Sequence, residues 1–407
     1  LAFVSKIQKN QIFLYIYQGL LYNIYRRTYY KNSRREIMQK GIKIRLYPNK
    51  EQINKMNSFF GCRRYVYNYF LDYSTSNKDY SYYSWSKELT SLKQKEDTSF
   101  LKEVDKFVLQ NSLKDLKTSY NNFFIDIKKE FTSKKGFNKP KYVSKKNPSQ
   151  SYRTNYTNNN IEILSKHIKL PKLGLIKCKY HYSFNDVKII SVTVTRTPSN
   201  KYYASIIHEV DINPLVKTNK EVGIDVGVRN LVTTSDNVIY VNPLKLDKIE
   251  KKITRLQRRI SKTKVDSSNR KKLRIKKAKI EEHKVNIIND YIHKITSSLI
   301  KEYDTLYIED LDIKELITKQ VVKRNKRKLI STCIGRLIKV LEYKAKMYDK
   351  QIHKIDRYYP SSKTCSRCNN TYEVKDSRIY QCPYCSLKID RDYNASLNIL
   401  RYGQNHN

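Results

Sequence analysis

The sequence predicts a multidomain α/β protein, and three observations carry that prediction. Glu221-Val-Gly-Ile-Asp225 reads as a buried strand ending in an acid, followed by the β patterns Leu231-Val-Thr-Thr234 and Val238-Ile-Tyr-Val241 and then by long amphipathic helices. Short strands bounded by Pro, Gly or Asn dominate residues 161–211, whereas helical spacing dominates most of residues 49–131. Two Cys-x2-Cys pairs stand between the last predicted strand and the last predicted helix. Strand, acid, hairpin and long helices, in that order, form the opening of an RNase H-like sheet. The antiparallel strands before it suggest a small barrel, and the helical stretch a further domain. At 407 residues the chain is long enough for two or three cores.

Composition narrows the function. The 82 Lys and Arg against 38 Asp and Glu give a formal net charge of +44, which implies a polyanionic partner, most simply nucleic acid. A membrane surface is the rival, but no apolar run approaches the roughly 20 residues that span a bilayer. Seven cysteines, an odd number with four of them in pairs, fit metal binding in a reducing compartment better than a disulfide framework.

Residues 1–37 look foreign to the rest of the chain. The first methionine is Met38, and Ile12–Tyr22 is apolar without a small-residue cleavage site, so this segment is expected to be an over-extended start that packs poorly. From Lys40 to Pro48 the alternation of Ile42, Ile44 and Leu46 reads as a strand that completes the barrel. Asn49 then caps a helix bearing Ile53, Met56 and Phe60, with a second helix starting near Gly61 and further helix over roughly residues 84–131. Residues 132–160 are basic, turn-rich and interleaved with aromatics, as in Lys134-Lys-Gly-Phe-Asn-Lys-Pro-Lys-Tyr142. That mixture suits a phosphate-contacting loop or, equally, a solvated linker. Ile168–Leu170, Gly174–Tyr180, Val187–Val194 and Tyr202–Val210 are the expected barrel strands.

Beyond the hairpin, Leu246, Ile249, Ile253, Leu256 and Ile260 trace a narrow seam. After the turn Val265–Asn269, the residues Ile288, Ile292, Ile295 and Leu299 repeat the spacing. Residues 245–284 hold 17 Lys or Arg against five Asp or Glu. So one-sided a bias points to a phosphate backbone, with Arg255, Arg258, Arg259, Arg270, Lys271, Lys272 and Arg274 as candidate contacts. A strand from Asp304 to Ile308 ends at Glu309, a basic run at Lys323-Arg324-Asn-Lys-Arg-Lys328 comes next, and a helix through Ile334, Leu337, Leu341 and Ala345 leads to the strand Gln351–Ile355. The last helix runs from Asn394 to Tyr402.

Two constellations carry chemistry. Asp225 and Glu309 end predicted strands, and Asp392 stands in the first turn of a helix, where the dipole favours an anion. Phosphodiester hydrolysis by two Mg²⁺ needs carboxylates that converge in this way. Each acid alone is more simply a cap or loop carboxylate; together, in this order of elements, they favour a nuclease. Asp390 is the supporting or alternative acid. The DxG turn at Asp225 also occurs in sugar-kinase and actin-like ATPases, so that motif alone decides little. The spacing Cys365-x2-Cys368-x13-Cys382-x2-Cys385 suits a closed, structural Zn²⁺ site of four thiolates. Lys363, Arg367, Tyr384 and Lys388 around it make nucleic-acid contact plausible.

With these pieces in order, the chain resembles the TnpB family, the OrfB-type transposon-encoded relatives of type V CRISPR effectors, from about Met38 to its end. The resemblance rests on Arg45-Leu-Tyr-Pro48, Gly61-Cys-Arg-Arg-Tyr-Val-Tyr-Asn68, Gly223-Ile-Asp225-Val-Gly227, Ile308-Glu309-Asp-Leu311, Tyr359-Pro-Ser-Ser-Lys-Thr-Cys365-Ser-Arg-Cys368, Asp390-Arg-Asp392-Tyr-Asn394-Ala395 and Asn398-Ile399. It implies an RNA-guided DNA endonuclease of the prokaryotic cytoplasm, associated with the nucleoid when on DNA. Such a protein takes a guide RNA from its transposon end and cuts target DNA beside a short motif with a RuvC site. Asp225, Glu309 and Asp392 would be the RuvC acids, holding Mg²⁺, and the four cysteines the Zn²⁺ ligands. Residues 38–57 would begin a wedge barrel, 58–145 form a helical recognition domain and 146–218 complete the wedge, which grips RNA. Residues 219–360 would be the RuvC-like domain with its basic helical hairpin, 361–389 an inserted zinc ribbon that binds target nucleic acid, and 390–407 the final motif and helix.

Three departures from the family pattern stand out: residues 1–37 have no counterpart, Asn369-Asn370 replaces a usual Gly, and Ser386 replaces another, which leaves the tightness of the zinc turns open. A miniature type V CRISPR effector, a nuclease-dead RNA-guided repressor and a strand-joining transposase are the alternatives.

Overall fold

The computed structural model describes residues 37–129, 139–182, 184, 187–212, 214–227, 230–241, 246–311, 334–373 and 378–406. The expected poorly packed N-terminal segment lies almost wholly outside these, and the basic run at Lys323–Lys328 entirely so.

The first half is built on a seven-stranded antiparallel sheet. Its strands are β1 (Ile37–Tyr47), β2 (Gln150–Asn155), β3 (Glu162–Ile163), β4 (His167–Leu170), β5 (Gly174–Lys179), β6 (Ile189–Arg196) and β7 (Tyr202–Asp211), in the order β2-β6-β7-β1-β5-β4-β3. Strand β1 is central, paired with β7 from Ile37↔Asp211 to Leu46↔Tyr202 and with β5 at Arg45↔Lys179. Edge strands β2 and β3 do not pair with each other among the described residues, so the expected barrel is an open half-barrel.

Helices α1 (Lys50–Asn77), α2 (Tyr82–Leu92) and α3 (Lys106–Lys129) pack on this sheet, with a 3₁₀ turn at Glu96–Lys102 between the last two. The expected capping at Asn49 is present as a reciprocal box, Gln52 N to Asn49 Oδ1 at 2.8 Å and Asn49 N to Gln52 Oε1 at 3.1 Å. No second helix begins at Gly61. The helix runs straight through it, because a mid-helix glycine costs only about 1 kcal/mol and the flanking Phe60, Cys62 and Val66 bury their side chains in the same core. Helices and sheet share that one core, in which Phe59, Phe70, Trp85, Leu113 and Tyr120 meet Tyr152, Val194 and Ile206. Strand β2 lies inside the stretch read as a basic loop. Its inward positions are Gln150, Tyr152 and Thr154, and Thr154 Oγ1 donates to Asp105 at 2.6 Å, so the strand buries polar groups that hydrophobic periodicity does not register.

The second half is a five-stranded mixed sheet, β8 (Glu221–Asp225), β9 (Asn230–Thr234), β10 (Ile239–Val241), β11 (Thr305–Glu309) and β12 (Gln351–Ile355), in the order β10-β9-β8-β11-β12. Strand β8 is antiparallel to β9 and parallel to β11, which is parallel to β12. This is the expected order of hairpin first and helix-linked parallel strands after. Helices α5 (Ser268–Glu302) and α6 (Ile334–Met347) cover one face through Ile292, Ile295, Leu299, Leu337 and Leu341. Helix α7 (Arg391–His406) covers the other, and with both faces buried β8 and β11 read as nearly continuous apolar runs. Helix α4 (Leu246–Ser261) pairs with the start of α5 around a small separate core of Leu256, Ile260 and Leu273. The hairpin β13 (Ile379–Gln381) and β14 (Lys388–Asp390) carries the second cysteine pair.

Candidate active site

Two glycines set the geometry of the site. A Cβ on Gly223 of β8 would fall 2.1 Å from the Ser396 carbonyl oxygen of α7, and one on Gly403 of α7 would fall 2.1 Å from the Tyr307 ring of β11. Only bare backbone at both places lets α7 lie this close to the sheet. Gly223 and Tyr307 are register partners on adjacent parallel strands. Because side chains alternate, Asp225 and Glu309, two residues further on, face the same side as Gly223 and Tyr307. Helix α7 runs antiparallel to β8, with Gln404 Nε2 donating to Glu221 Oε2 at 2.8 Å at one end. Its N-terminus, carrying Asp392, therefore points to the carboxyl ends of the strands, where Asp225 and Glu309 stand.

The three acids are half-buried and feel one another. The Asp225 carboxyl is pushed up to about 8, first by burial, then by the charges of Glu309 and Asp392, and Arg391 and the Val226 backbone N–H only partly offset this. Glu309 Oε1 accepts a hydrogen bond from Ser361 Oγ. Asp392 Oδ2 accepts one from Asn230 Nδ2 at 3.1 Å. Three carboxylates gathered at one place, two of them held by the neutral donors Ser361 and Asn230, form a donor set short of positive charge, and hard divalent cations supply such charge through oxygen ligands. The set fits Mg²⁺.

The neighbouring acids are otherwise engaged. Asp390 is exposed, and its Oδ1 accepts from the backbone N–H groups of Asp392 at 2.9 Å and Tyr393 at 3.1 Å, so it caps α7. Asp310 pairs with Arg357 at 2.8 Å.

The four cysteines form the tight ligand set, their sulfurs all within 4.8 Å of one another and the pairs Cys365–Cys385 and Cys368–Cys382 at 3.5 Å. Tetrahedral Zn–S bonds of about 2.3 Å place sulfurs roughly 3.8 Å apart, so the set fits Zn²⁺. Each pair closes the same turn: Asn369 N donates to Cys365 O at 3.0 Å, and Ser386 N to Cys382 O at 3.1 Å. A clamp from α7 holds the module. Asn394 Nδ2 donates to Thr364 O at 2.7 Å and its Oδ1 accepts from Ser366 N at 3.0 Å, while Arg401 donates to Ser366 O and Asn369 Oδ1.

Of the basic candidates, Arg255, Arg258, Arg259, Lys271, Lys272 and Arg274 are exposed on the α4–α5 hairpin, and Arg367 is exposed on the cysteine module. Arg270 is not available in the same way: it is half-buried and its Nη1 donates to Thr263 O at 2.6 Å, closing the end of the hairpin. Lys363 is paired with Glu373 at 2.6 Å. Lys323 and Arg324 lie outside the described residues. Sequence reasoning does not single out Asn230 and Ser361 as site residues; their polar side chains stand in loops or at strand edges, where periodicity carries no signal.

Three family models match the chain. Residues 192–320 match one described as "Probable transposase" (OrfB_IS605), and residues 335–399 one described as "Cas12f1-like, TNB domain". Residues 38–77 match a "Helix-turn-helix domain" model (HTH_OrfB_IS605), although here they form β1 and the single helix α1. A Streptomyces pristinaespiralis protein, provisionally named an RNA-guided DNA endonuclease, is 31% identical over 376 residues, covering 90% of each chain. The Escherichia coli K12 protein InsQ, with the same provisional name, is 28% identical over 384 residues, 89% of this chain and 91% of its own. Among solved structures, Cas12f1 in its complex with sgRNA and target DNA superposes with a TM-score of 0.50 at 14% identity, covering 89% of this chain and 98% of that one, which is a likeness of fold.

Proposed function

The chain belongs to the TnpB family, and from that premise we propose that it is an RNA-guided DNA endonuclease cutting through a Mg²⁺-dependent RuvC-type site made of Asp225, Glu309 and Asp392. The observation that carries this reading is the convergence of three acids from the ends of β8 and β11 and the start of α7, close enough that the charges of Glu309 and Asp392 add to burial in holding Asp225 up to about 8. A carboxyl held up by burial together with specific neighbouring charges is a candidate for a functional site.

Bound Mg²⁺ would activate a water and stabilise the leaving oxygen of a phosphodiester. The chain's own part is to fix the ligands. Strands β8 and β11 hold Asp225 and Glu309 in register, α7 brings Asp392 over them, and Ser361 and Asn230 orient two of the three carboxylates. The cysteine module would hold Zn²⁺ as a structural ion, because all four ligand positions would be filled by protein thiolates.

Specificity would come from a guide RNA encoded at the transposon end, pairing with one target strand, while the protein reads a short adjacent motif and the shape of the heteroduplex. The exposed arginines and lysines of the α4–α5 hairpin and Arg367 are the proposed backbone contacts. Purification of the protein from cells carrying its locus, followed by sequencing of the bound RNA, tests this. The expected result is one abundant transcript from the end of its own element; recovery of RNA in proportion to cellular abundance would contradict it.

A further inference from the structure

Beyond the acids themselves, one buried hydroxyl stands between the acid cluster and the cysteine module. We propose that Ser361 is a positioning residue that sets the orientation of Glu309 and couples it to the zinc module. This rests on the reading of Glu309 as a metal ligand.

Ser361 is 4% exposed, and its Oγ donates to Glu309 Oε1. That bond takes one lone pair of the carboxylate and fixes its plane, leaving Oε2 and the remaining lone pair for a cation. The other end of the residue is held as firmly. The Ser361 carbonyl accepts from Asn398 Nδ2 at 2.8 Å, and the same Nδ2 donates to Thr364 O at 2.6 Å. Asn394, one turn earlier on α7, donates to that same Thr364 oxygen, and Thr364 precedes Cys365. The turn between them is rigid, since Lys363 N and Thr364 N both donate to Pro360 O, at 2.9 and 3.0 Å. A continuous chain of contacts therefore runs from Glu309 through Ser361, Asn398 and Thr364 to the first zinc ligand.

Asn398 shows that this arrangement is not simply good packing. It is fully buried, and its Oδ1 has no hydrogen-bond partner among the described residues. An apolar side chain of similar size would avoid leaving that acceptor unpaired. The residue is accounted for by the two bonds its Nδ2 makes to the loop.

Hydrogen-bonded partners of metal ligands usually change metal affinity by about 10–100-fold when removed. The test measures Mn²⁺ binding to the full chain from the electron paramagnetic resonance signal of free Mn²⁺, which needs no cleavage. Asp225→Ala serves as the reference for loss of the acid site. Ser361→Ala should weaken Mn²⁺ binding by roughly 10-fold or more, and Ser361→Thr, which restores the hydroxyl, should recover most of it. Stripping zinc with a chelator should weaken Mn²⁺ binding in the unmutated chain but add little to Ser361→Ala, since both break the same link. Wild-type affinity in Ser361→Ala, equal losses in the Ala and Thr variants, or a chelation effect undiminished in Ser361→Ala would each overturn the proposal. If Asp225→Ala binds Mn²⁺ as the unmutated chain does, it is the reading of the acids as metal ligands that fails.

Discussion

Asp225 keeps its proton to about pH 8 because burial and the charges of Glu309 and Asp392 oppose ionisation more than Arg391 assists it. A divalent cation needs the ionised form, so its binding must expel that proton at any pH below 8. Mg²⁺ affinity should therefore rise between pH 6 and 8, by up to about tenfold per unit, and level off above. Titration of Mg²⁺ in buffers across this range checks it, and Asp225→Asn should flatten the slope. Stability runs the other way in the metal-free chain. A carboxyl whose folded value lies above its unfolded one destabilises the fold progressively as pH climbs from about 4 to about 8, so melting temperature should fall over that window and Mg²⁺ should restore it. The three acids are legible in sequence because each stands at the end of a periodic element. Ser361 and Asn230 are not, since what defines them is a hydrogen bond to a residue 52 or 162 positions away.

At the level of the element, the zinc turns close a point that the sequence leaves open. Asn369 and Ser386 occupy equivalent places after the two cysteine pairs, and both adopt left-handed backbone, with φ of 60° and 57°. The turns are therefore as tight as glycine would make them, at a cost. Asn tolerates this conformation and its Oδ1 also receives Arg401, whereas Ser bears close to the full penalty of about 1 kcal/mol. Ser386→Gly should raise the stability of the zinc-loaded protein by roughly that amount, and Asn369→Gly should gain nothing because it gives up the Arg401 contact; thermal melts of both variants decide it. Elements with strong periodicity, such as β1, β8, β11 and α5, are legible in the sequence alone. Strand β2 is not, because its inward face carries Gln150 and Thr154, and the hairpin β13–β14 is not, because three-residue strands give periodicity too little length. Gly61 misleads as a helix boundary because tertiary packing carries the helix through it.

Across the whole molecule, two large cores are held together by polar contacts. Glu282 of α5 accepts from Ser199 Oγ at 2.7 Å and from Tyr203 OH, and pairs with Lys201 at 3.0 Å, which ties the half-barrel to the helical hairpin of the second half. No described helix is long and apolar enough to cross a membrane. A net charge of +44 spread over such a molecule suits a nucleic-acid partner. Under the proposed function, this site cuts the DNA that the guide selects. The most direct measurement assembles the protein with RNA from its own locus, supplies a matching duplex with Mg²⁺, and compares cleavage and binding for the unmutated chain and Asp225→Ala. Both proteins should bind the target, and the variant should cut at least about a hundredfold more slowly, since loss of a ligand should exceed the loss of a ligand's partner. Equal cleavage by the two proteins, or target binding by the unmutated chain with no cleavage at all, would contradict it.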